Sequence, residues 1–270
     1  MTANNNFSIS RFSYLIRKEL VEHWKAHTLQ LVAIFAGLLI FSLWTSYTIY
    51  SDFANHLTYT DSYYTYCTLH HSDPQWAMQG RLFYIALFAF GCYSASLITN
   101  DLRRVGKRIS VLTTPVTPLE NWLSRWTIYT ILFLIMFLIT FIVSDYLRVL
   151  IYKLLYPSLS NILLPCGFHQ CHDFFIKVPT RIFNFLFLYM FVQSFYVMGS
   201  SFFPRQSFLK TTFIGFLMGA AFVFIVVYIT SPYSIDPNTA LLNISLAVFA
   251  IIMWALAYYR FKDIEIIDRY

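Results

Sequence analysis

The run WLSRWTIYTILFLIMFLITFIVSDY, residues 122–146, has no charged side chain between Arg125 and Asp145. A helix needs about 20 mostly apolar residues to cross a bilayer, and this run supplies them. Further runs of this character lie near residues 28–50, 81–99, 180–201, 208–230 and 239–259. The sequence therefore predicts an all-α, polytopic integral membrane protein with six transmembrane helices and one membrane domain over residues 1–270.

The composition agrees with a membrane protein and argues against a soluble domain. Hydrophobic residues make up 58% of the chain, aromatic residues 20% and charged residues only 12%, whereas soluble domains are about a quarter charged. Most of the Lys and Arg residues fall in the segments that six spans place on the same side as both termini. The positive-inside rule then predicts cytoplasmic termini. Orientation accounts for the net charge of +6, so no nucleic-acid partner is expected.

The segment FSISRFSYLIRKELVEHWKAH, residues 7–27, precedes the first predicted span. On a helix, its larger apolar side chains share one stripe, and its charges lie on other faces. The stripe consists of Phe12, Leu15, Ile16, Leu20 and Trp24. The pattern predicts an amphipathic helix over residues 7–26 that lies on the inner membrane surface. The alternative is a simple cytoplasmic extension of the first span.

A polar segment, residues 101–120, separates the second and third predicted spans. Its first part, DLRRVGKR, is basic, and its second part, ISVLTTPVTPLE, contains Pro115 and Pro118, which prevent one continuous helix. Thr117 has the character of an N-cap, Pro118 that of a first helical residue, and Glu120 that of a first-turn acid. The third helix is therefore predicted to begin at Pro118, after a short element exposed to the cytoplasm.

Cysteines and histidines concentrate in the segments predicted to lie outside, which include the external loop 147–179. An oxidising exterior permits a disulfide between Cys166 and Cys171. The alternative is a metal site, because thiolates and imidazoles suit zinc or copper. Its candidate ligands, beside that cysteine pair, are Cys67, His70, His71, His169 and His172. Both interpretations remain open from the sequence.

The predicted spans hold few polar side chains. Asp145 and Arg148, three residues apart, suggest a local ion pair where the third helix leaves the bilayer. Asn184 and Gln193 suggest hydrogen bonds between helices, and the GxxxG pair Gly215 and Gly219 suggests close helix packing within the chain. We find no HExxH, GxSxG or phosphate-binding loop in the sequence. The chain is therefore not expected to be an enzyme or to carry a cofactor.

Two segments resemble a known family. LIRKELVEHWK, residues 15–25, and NDLRRVGKRISVLTTPVTPLENWLSR, residues 100–125, together with six spans, resemble the permeases of ABC-2-type transporters, also called type V exporters. LTTPVTPLENWLSRW, residues 112–126, is also similar to the LPxSxLEKxLxRW run of small six-span membrane proteins from Bacteroidetes. The resemblance implies that residues 7–26 form a connecting helix and that residues 101–120 form a coupling loop, which docks on a separate ATPase subunit.

The resemblance also implies partners and a location. The expected partner-binding residues of the coupling loop are Arg103, Arg104, Lys107, Arg108, Pro115, Pro118 and Glu120. The chain is expected in a bacterial cytoplasmic (inner) membrane, among lipid, as a homodimer or with a related permease. The expected function is that of an exporter permease for an amphipathic or lipid-like substrate. The alternative is a non-transporting membrane scaffold or assembly factor that uses the external Cys/His loops as its partner surface.

Overall fold

The computed structural model describes residues 7–56, 67, 69, 73–103, 106, 109, 111, 113–114, 116–165, 179–203, 206–230 and 239–263. Within these residues the backbone forms helices and turns, and no β-strand occurs. The α-helices are α1 Ile9–Glu22, α2 Trp24–His56, α3 Trp76–Ser96, α4 Pro118–Trp126, α5 Phe133–Leu155, α6 Pro179–Phe202, α7 Ser207–Thr230 and α8 Thr239–Lys262. Short 3-10 helices cover Asn100–Arg103 and Pro157–Leu159, and a π-helical turn, Thr127–Leu132, joins α4 to α5.

Several helices have the length and composition that a membrane span requires. Among the described residues there are five such segments: Trp24–Ala54, Trp76–Leu102, Pro118–Leu155, Asn184–Phe202 and Leu242–Lys262. In α7 the side chains that the structure describes include a shorter apolar stretch, Ser207–Ala220. The all-α, polytopic membrane character is therefore supported, and the sixth span stays a prediction.

The start of the third helix is where the sequence places it. Thr117 has an extended backbone, φ −70° and ψ 148°, and caps α4. The Glu120 backbone N–H donates to Thr117 Oγ1 at 3.2 Å, and the Thr117 N–H donates to Glu120 Oε2 at 3.0 Å. These reciprocal bonds form a capping box, which satisfies two backbone donors at the helix start. The predicted N-cap, first residue and first-turn acid are all confirmed.

Two helices extend beyond the limits of the predicted spans. The loop predicted to begin at residue 147 is helical as far as Leu155, where α5 ends. VLIYKLL contains no helix breaker, and the next proline is Pro157, which disfavours helical geometry in Tyr156. Tyr156 indeed has φ −125° and ψ 75°. The second predicted span starts at Arg81, but the helix that contains it, α3, begins five residues earlier at Trp76.

The chain divides into two compact units. The first unit comprises Met1–Glu22, Phe90–Phe133 and Thr180–Tyr270, and the second comprises His23–Ala89 and Leu134–Pro179. The first unit has a core of buried residues from α3, the turn and 3-10 helix that follow it, α4, the π-helical turn, α6 and α8: Ala95, Ile98, Leu102, Trp122, Ile128, Tyr129, Val197, Ala257 and Phe261. The core of the second unit consists of Tyr50, Phe53, Cys67, Val149, Tyr152, Leu159, Ile162 and Leu163.

Helix α1 packs on the core of the first unit. Leu15 is buried, and Ile16 and Leu20 pack against the buried core residues. Trp24, the last member of the predicted stripe, begins α2 and is 56% exposed. Much of the stripe therefore covers protein, and the position of α1 on a membrane surface stays a prediction.

Polar and small residues of the first unit fix the contacts between its helices. Asn243 of α8 donates a hydrogen bond to Asn184 of α6, as the sequence suggests for Asn184. A Cβ at Gly215 would lie 3.1 Å from Phe195 of α6, but a Cβ at Gly219 would meet nothing within 4 Å. The GxxxG pair is thus a packing contact at its first glycine only.

Candidate functional site

Glu120 ties the start of α4 to the start of α1. Its side chain is fully buried. Oε1 accepts from the Ser8 N–H at 2.7 Å and from Arg11 Nη2 at 3.0 Å, while Oε2 accepts from the Thr117 N–H. Hydrogen bonds to a charged group are stronger than neutral ones. One carboxylate therefore closes the N-terminus of α4 and holds the N-terminus of α1 against it.

Arg125 forms a second tie at the other end of α4. Its guanidinium is 4% exposed. Nη1 lies 3.2 Å from Asp101 Oδ2, and Nη2 lies 3.5 Å from Glu19 Oε2. Arg125 Nε also donates to Asn121 Oδ1 at 3.3 Å. One guanidinium thus joins α4 to the 3-10 helix after α3 and to the last turn of α1.

We call this set of ties the α1–α4 joint; its residues are Ser8, Arg11, Glu19, Asp101, Glu120 and Arg125. Aromatic rings support it from α8. Trp122 and Trp126 of α4 are stacked, with ring centroids 6.4 Å apart, and Trp254 of α8 meets Trp126 edge-on at 5.2 Å. Aromatic pairs add to the stability that burial gives. The joint is therefore held by ion pairs on one face of α4 and by ring packing with α8.

A small cleft opens at the joint. Lys18 and Glu22 of α1, Asp101, Val111 and Asn121 are among its lining residues. These residues come from α1, from the 3-10 helix that follows α3, from Val111 and from α4. A partner that entered this cleft would contact all of these segments at once.

The second unit contains a buried ion network, which we call the Arg148 network: Tyr50, Asp73, Asp145 and Arg148. Arg148 is fully buried. Its Nε donates to Asp145 Oδ1 at 2.8 Å, and Nη1 and Nη2 lie 3.2 and 3.3 Å from Asp73 Oδ2. Nη1 also contacts the Tyr50 hydroxyl. The predicted pair with Asp145 exists, but its description as a local pair at a helix exit is wrong.

Helix α5 continues past the predicted end of the span at Tyr146 to Leu155. Arg148 therefore lies within the helix, and its side chain is buried. A buried guanidinium needs carboxylate partners, because transfer of a charge out of water is costly. Asp73 supplies one from 75 residues away. Its own partners include the Tyr50 hydroxyl at 2.8 Å and the Gln75 N–H at 2.8 Å. Burial raises the pKa of Asp73, and the Arg148 guanidinium opposes the rise.

Asp73 and Tyr50 were missed by sequence reasoning, although one signal was present. Asp73–Pro74 directly precedes α3, and an acid followed by proline is a typical start of a helix. The Gln75 N–H donates to the Asp73 carboxylate, as expected of such a start. No comparable signal marks Tyr50, which is one of 20 tyrosines.

The residues predicted to bind a partner are only partly placed. Pro118 is exposed at the start of α4, Glu120 is buried in the joint, and the backbone of Arg103 ends the 3-10 helix. The remaining predicted partner-binding residues lie outside the described residues: Arg104, Lys107, Arg108 and Pro115. Their role in docking stays a prediction.

The same holds for the disulfide and metal hypotheses. Cys67 is 1% exposed in the core of the second unit and is a free thiol. The other candidates lie outside the described residues: Cys166, Cys171, His70, His71, His169 and His172. Neither hypothesis is tested by the structure.

Comparison with known proteins gives no relative from which to transfer a function. A scan against models of protein families finds no match, and neither a search of curated proteins nor a search of solved structures finds one. The resemblance to exporter permeases therefore depends on the residues of this chain alone.

Proposed function

We propose that this chain is the permease subunit of an ABC-type exporter, driven by a separate ATPase subunit. The observation that supports the proposal is the α1–α4 joint. A coupling loop must transmit force to the membrane-spanning helices. It can do so only if its ends are held by contacts with those helices. Here the segment 101–117 has Asp101 of the joint at one end and the Thr117 cap of α4 at the other.

The joint gives a force on this loop two rigid routes. One route runs through the capping box into α4 and the rest of the third span. The other runs through Glu120 to Arg11, and through Arg125 to Glu19, into α1. Coupling by a partner requires different contacts in two states. A braced loop between two helices can transmit such a difference, because packed elements move as units.

The rest of the proposal follows the expected arrangement. Two copies, or one copy and a related permease, would enclose the pathway in a bacterial cytoplasmic membrane, with both termini in the cytoplasm. The energy would come from the partner, since we find no nucleotide-binding motif in the sequence. Spans that are rich in aromatic residues and poor in charge favour an amphipathic or lipid-like substrate.

Co-purification tests the docking step. The full-length chain is purified from the membranes of its own host, and associated ATPases are identified by mass spectrometry. Charge reversal of Arg103, Arg104, Lys107 and Arg108 should release the ATPase, because charges at the rim of an interface steer and orient a partner. The matched control is reversal of Arg81 and Lys153, two exposed basic residues of the second unit.

Two results would reject this proposal. One is wild-type chain that brings down no ATPase, and the other is an ATPase retained equally by both reversals. Co-purification of proteins that bind through the Cys/His loops, with no ATPase, would favour the alternative of a membrane scaffold or assembly factor.

Hydrogen–deuterium exchange tests transmission through the joint. In the complex, a change of nucleotide should alter the exchange of α1 amides in the wild type. Glu120→Gln removes the charge that holds Arg11 but keeps an amide oxygen for the cap, so it should retain the ATPase and weaken the response of α1. Arg17→Gln, an exposed change on α1, serves as the control. An undiminished response in Glu120→Gln would exclude the joint as the route.

A further inference from the structure

Polar side chains continue from the Arg148 network into the interior of the second unit. Ser46 lies four residues from Tyr50 on α2, and Ser144 lies four residues from Arg148 on α5. Gln79 of α3 lies four residues after Gln75, and its backbone N–H donates to the Gln75 backbone carbonyl at 2.9 Å. Four residues are about one helical turn, so each lies on the same face as its neighbour. All three are at most 1% exposed.

These three side chains and that of Gln75 each have a polar atom with no hydrogen-bond partner among the described residues. The atoms are Ser46 Oγ, Gln75 Oε1, Gln79 Oε1 and Ser144 Oγ. Buried polar groups almost always have a partner, and an exception demands an explanation. The four atoms lie on neighbouring turns of three helix faces. A single common cause therefore explains them more simply than four separate causes.

The two serines also differ from other buried serines of this chain. Ser42, Ser194 and Ser200 donate their hydroxyl groups to a carbonyl three residues earlier in their own helix, at 3.0, 2.7 and 2.7 Å. This is the usual solution for a buried helical serine. Ser46 and Ser144 do not use it, so their hydroxyl groups are available to something else in the interior.

The orientation of the Gln75 amide is fixed by Thr45. Thr45 Oγ1 donates to the carbonyls of Phe41 and Ser42, at 3.0 and 3.1 Å. It must therefore accept the bond of 2.8 Å from Gln75 Nε2. Gln75 Oε1 is left as an acceptor that needs a donor.

On α3 and α5 the polar faces are followed by phenylalanines. Phe83 lies one turn beyond Gln79, and its ring centroid is 5.0 Å from that of Phe141 and 5.9 Å from that of Phe137. Phe137 is fully buried. The polar interior is therefore bounded on one side by the Arg148 network and on the other by packed rings.

We propose that ordered water molecules occupy this interior and bind Ser46, Gln75, Gln79 and Ser144. Water fits because it both donates and accepts, and a buried water molecule typically makes two to four hydrogen bonds to groups that lack other partners. A metal cation fits less well, because the guanidinium of Arg148 lies one turn from Ser144. This internal hydration site is independent of the exporter proposal.

Radiolytic labelling of the full-length protein in lipid nanodiscs tests the proposal with water itself as the probe. An X-ray pulse converts bound water to hydroxyl radicals, which oxidise adjacent side chains, and mass spectrometry locates the product. Tyr50 should be oxidised although it is fully buried, while Phe137, an equally buried member of the packed rings, should not. The Ser46→Ala/Ser144→Ala variant should lose most of the Tyr50 product, and Ser42→Ala should keep it.

Thermal unfolding gives an independent test, because the direction of the change in Tm differs between a hydrated and a dry interior. It needs only the two single alanine variants. If the site is hydrated, Ser46→Ala and Ser144→Ala each remove a partner of bound water and lower Tm. If the interior is dry, each removes an unsatisfied polar group and raises Tm. A raised Tm, an unlabelled Tyr50, or Tyr50 labelling equal in the wild type and the double alanine variant overturns the proposal. So does stabilisation by sodium chloride that potassium chloride does not reproduce, because a bound cation would then occupy the site.

Discussion

Substitution of Arg148 by Met should strongly destabilise the second unit. Methionine has a similar length and no charge, so the variant leaves the carboxylates of Asp73 and Asp145 in the interior without their guanidinium. Arg148 donates to both carboxylates at 2.8–3.3 Å. A hydrogen bond to a charged group contributes about 1.5–3 kcal/mol, so two such partners give about 3–6 kcal/mol. Rupture of buried ion pairs costs about 3–5 kcal/mol, which is the same range.

Thermal unfolding in detergent or nanodiscs measures the effect. For a chain of this size, 1 kcal/mol shifts Tm by about 2–4 °C, so a loss of about 3–6 kcal/mol should lower Tm by about 6–24 °C. Arg81→Met is the matched control, since Arg81 is exposed on α3 of the same unit; surface changes usually stay within about 0.5 kcal/mol. A fall no larger than that of Arg81→Met would refute the account.

A compensated variant separates charge from packing. Asp73→Asn and Asp145→Asn remove the two buried charges, so their addition to Arg148→Met should recover much of the lost Tm. If destabilisation came from lost packing of the arginine stem, the added amides would recover nothing.

The cost of Arg148→Met should also depend on pH. Burial raises the pKa of Asp73 in the folded protein, and the variant lacks the group that opposes the rise. The folded variant then binds a proton more tightly than the unfolded chain does, so its stability falls as pH rises through the folded pKa, above the ordinary value of about 3.9. The difference in Tm from wild type should therefore be larger at neutral than at mildly acidic pH.

Two further substitutions test local packing and capping. Gly199→Ala should lower the free energy of unfolding by about 1–3 kcal/mol through overpacking, because a Cβ there would clash with the Thr211 side chain. Gly219→Ala should not lower Tm, because a Cβ there meets nothing within 4 Å. Thr117→Ala should lower stability by about 0.5–2 kcal/mol through loss of the N-cap bond, and Thr117→Ser should retain it; equal Tm values for the two would contradict the role of the cap.

Local chemistry made part of the fold predictable. The start of α4 was found because the cap residue, the proline and the acid lie within four positions of one another, and each has a known preference there. The predicted spans begin at Arg81 and stop at Tyr146, beside charged residues, whereas α3 begins at Trp76 and α5 continues to Leu155. A long basic side chain can extend toward water while its backbone remains helical, so a charge alone does not end a helix.

The sites were less predictable because their partners are far apart in sequence. Arg148 and Asp73 are separated by 75 residues and Arg11 and Glu120 by 109. A pattern in one sequence reports on neighbours within a few positions, as it did for Asp145 and Arg148. It does not report which distant carboxylate a helix face will meet after folding.

Glu120 illustrates how such a distant contact changes an inference about function. The sequence groups it with the basic residues of the loop as part of one docking surface. Its burial in the α1–α4 joint removes it from any surface a partner could touch. Under the exporter proposal, docking then belongs to the basic segment and the rim of the cleft, and Glu120 transmits force to α1. Charge reversal and Glu120→Gln should therefore give different failures: the first loses the ATPase, and the second keeps the ATPase but loses the response of α1.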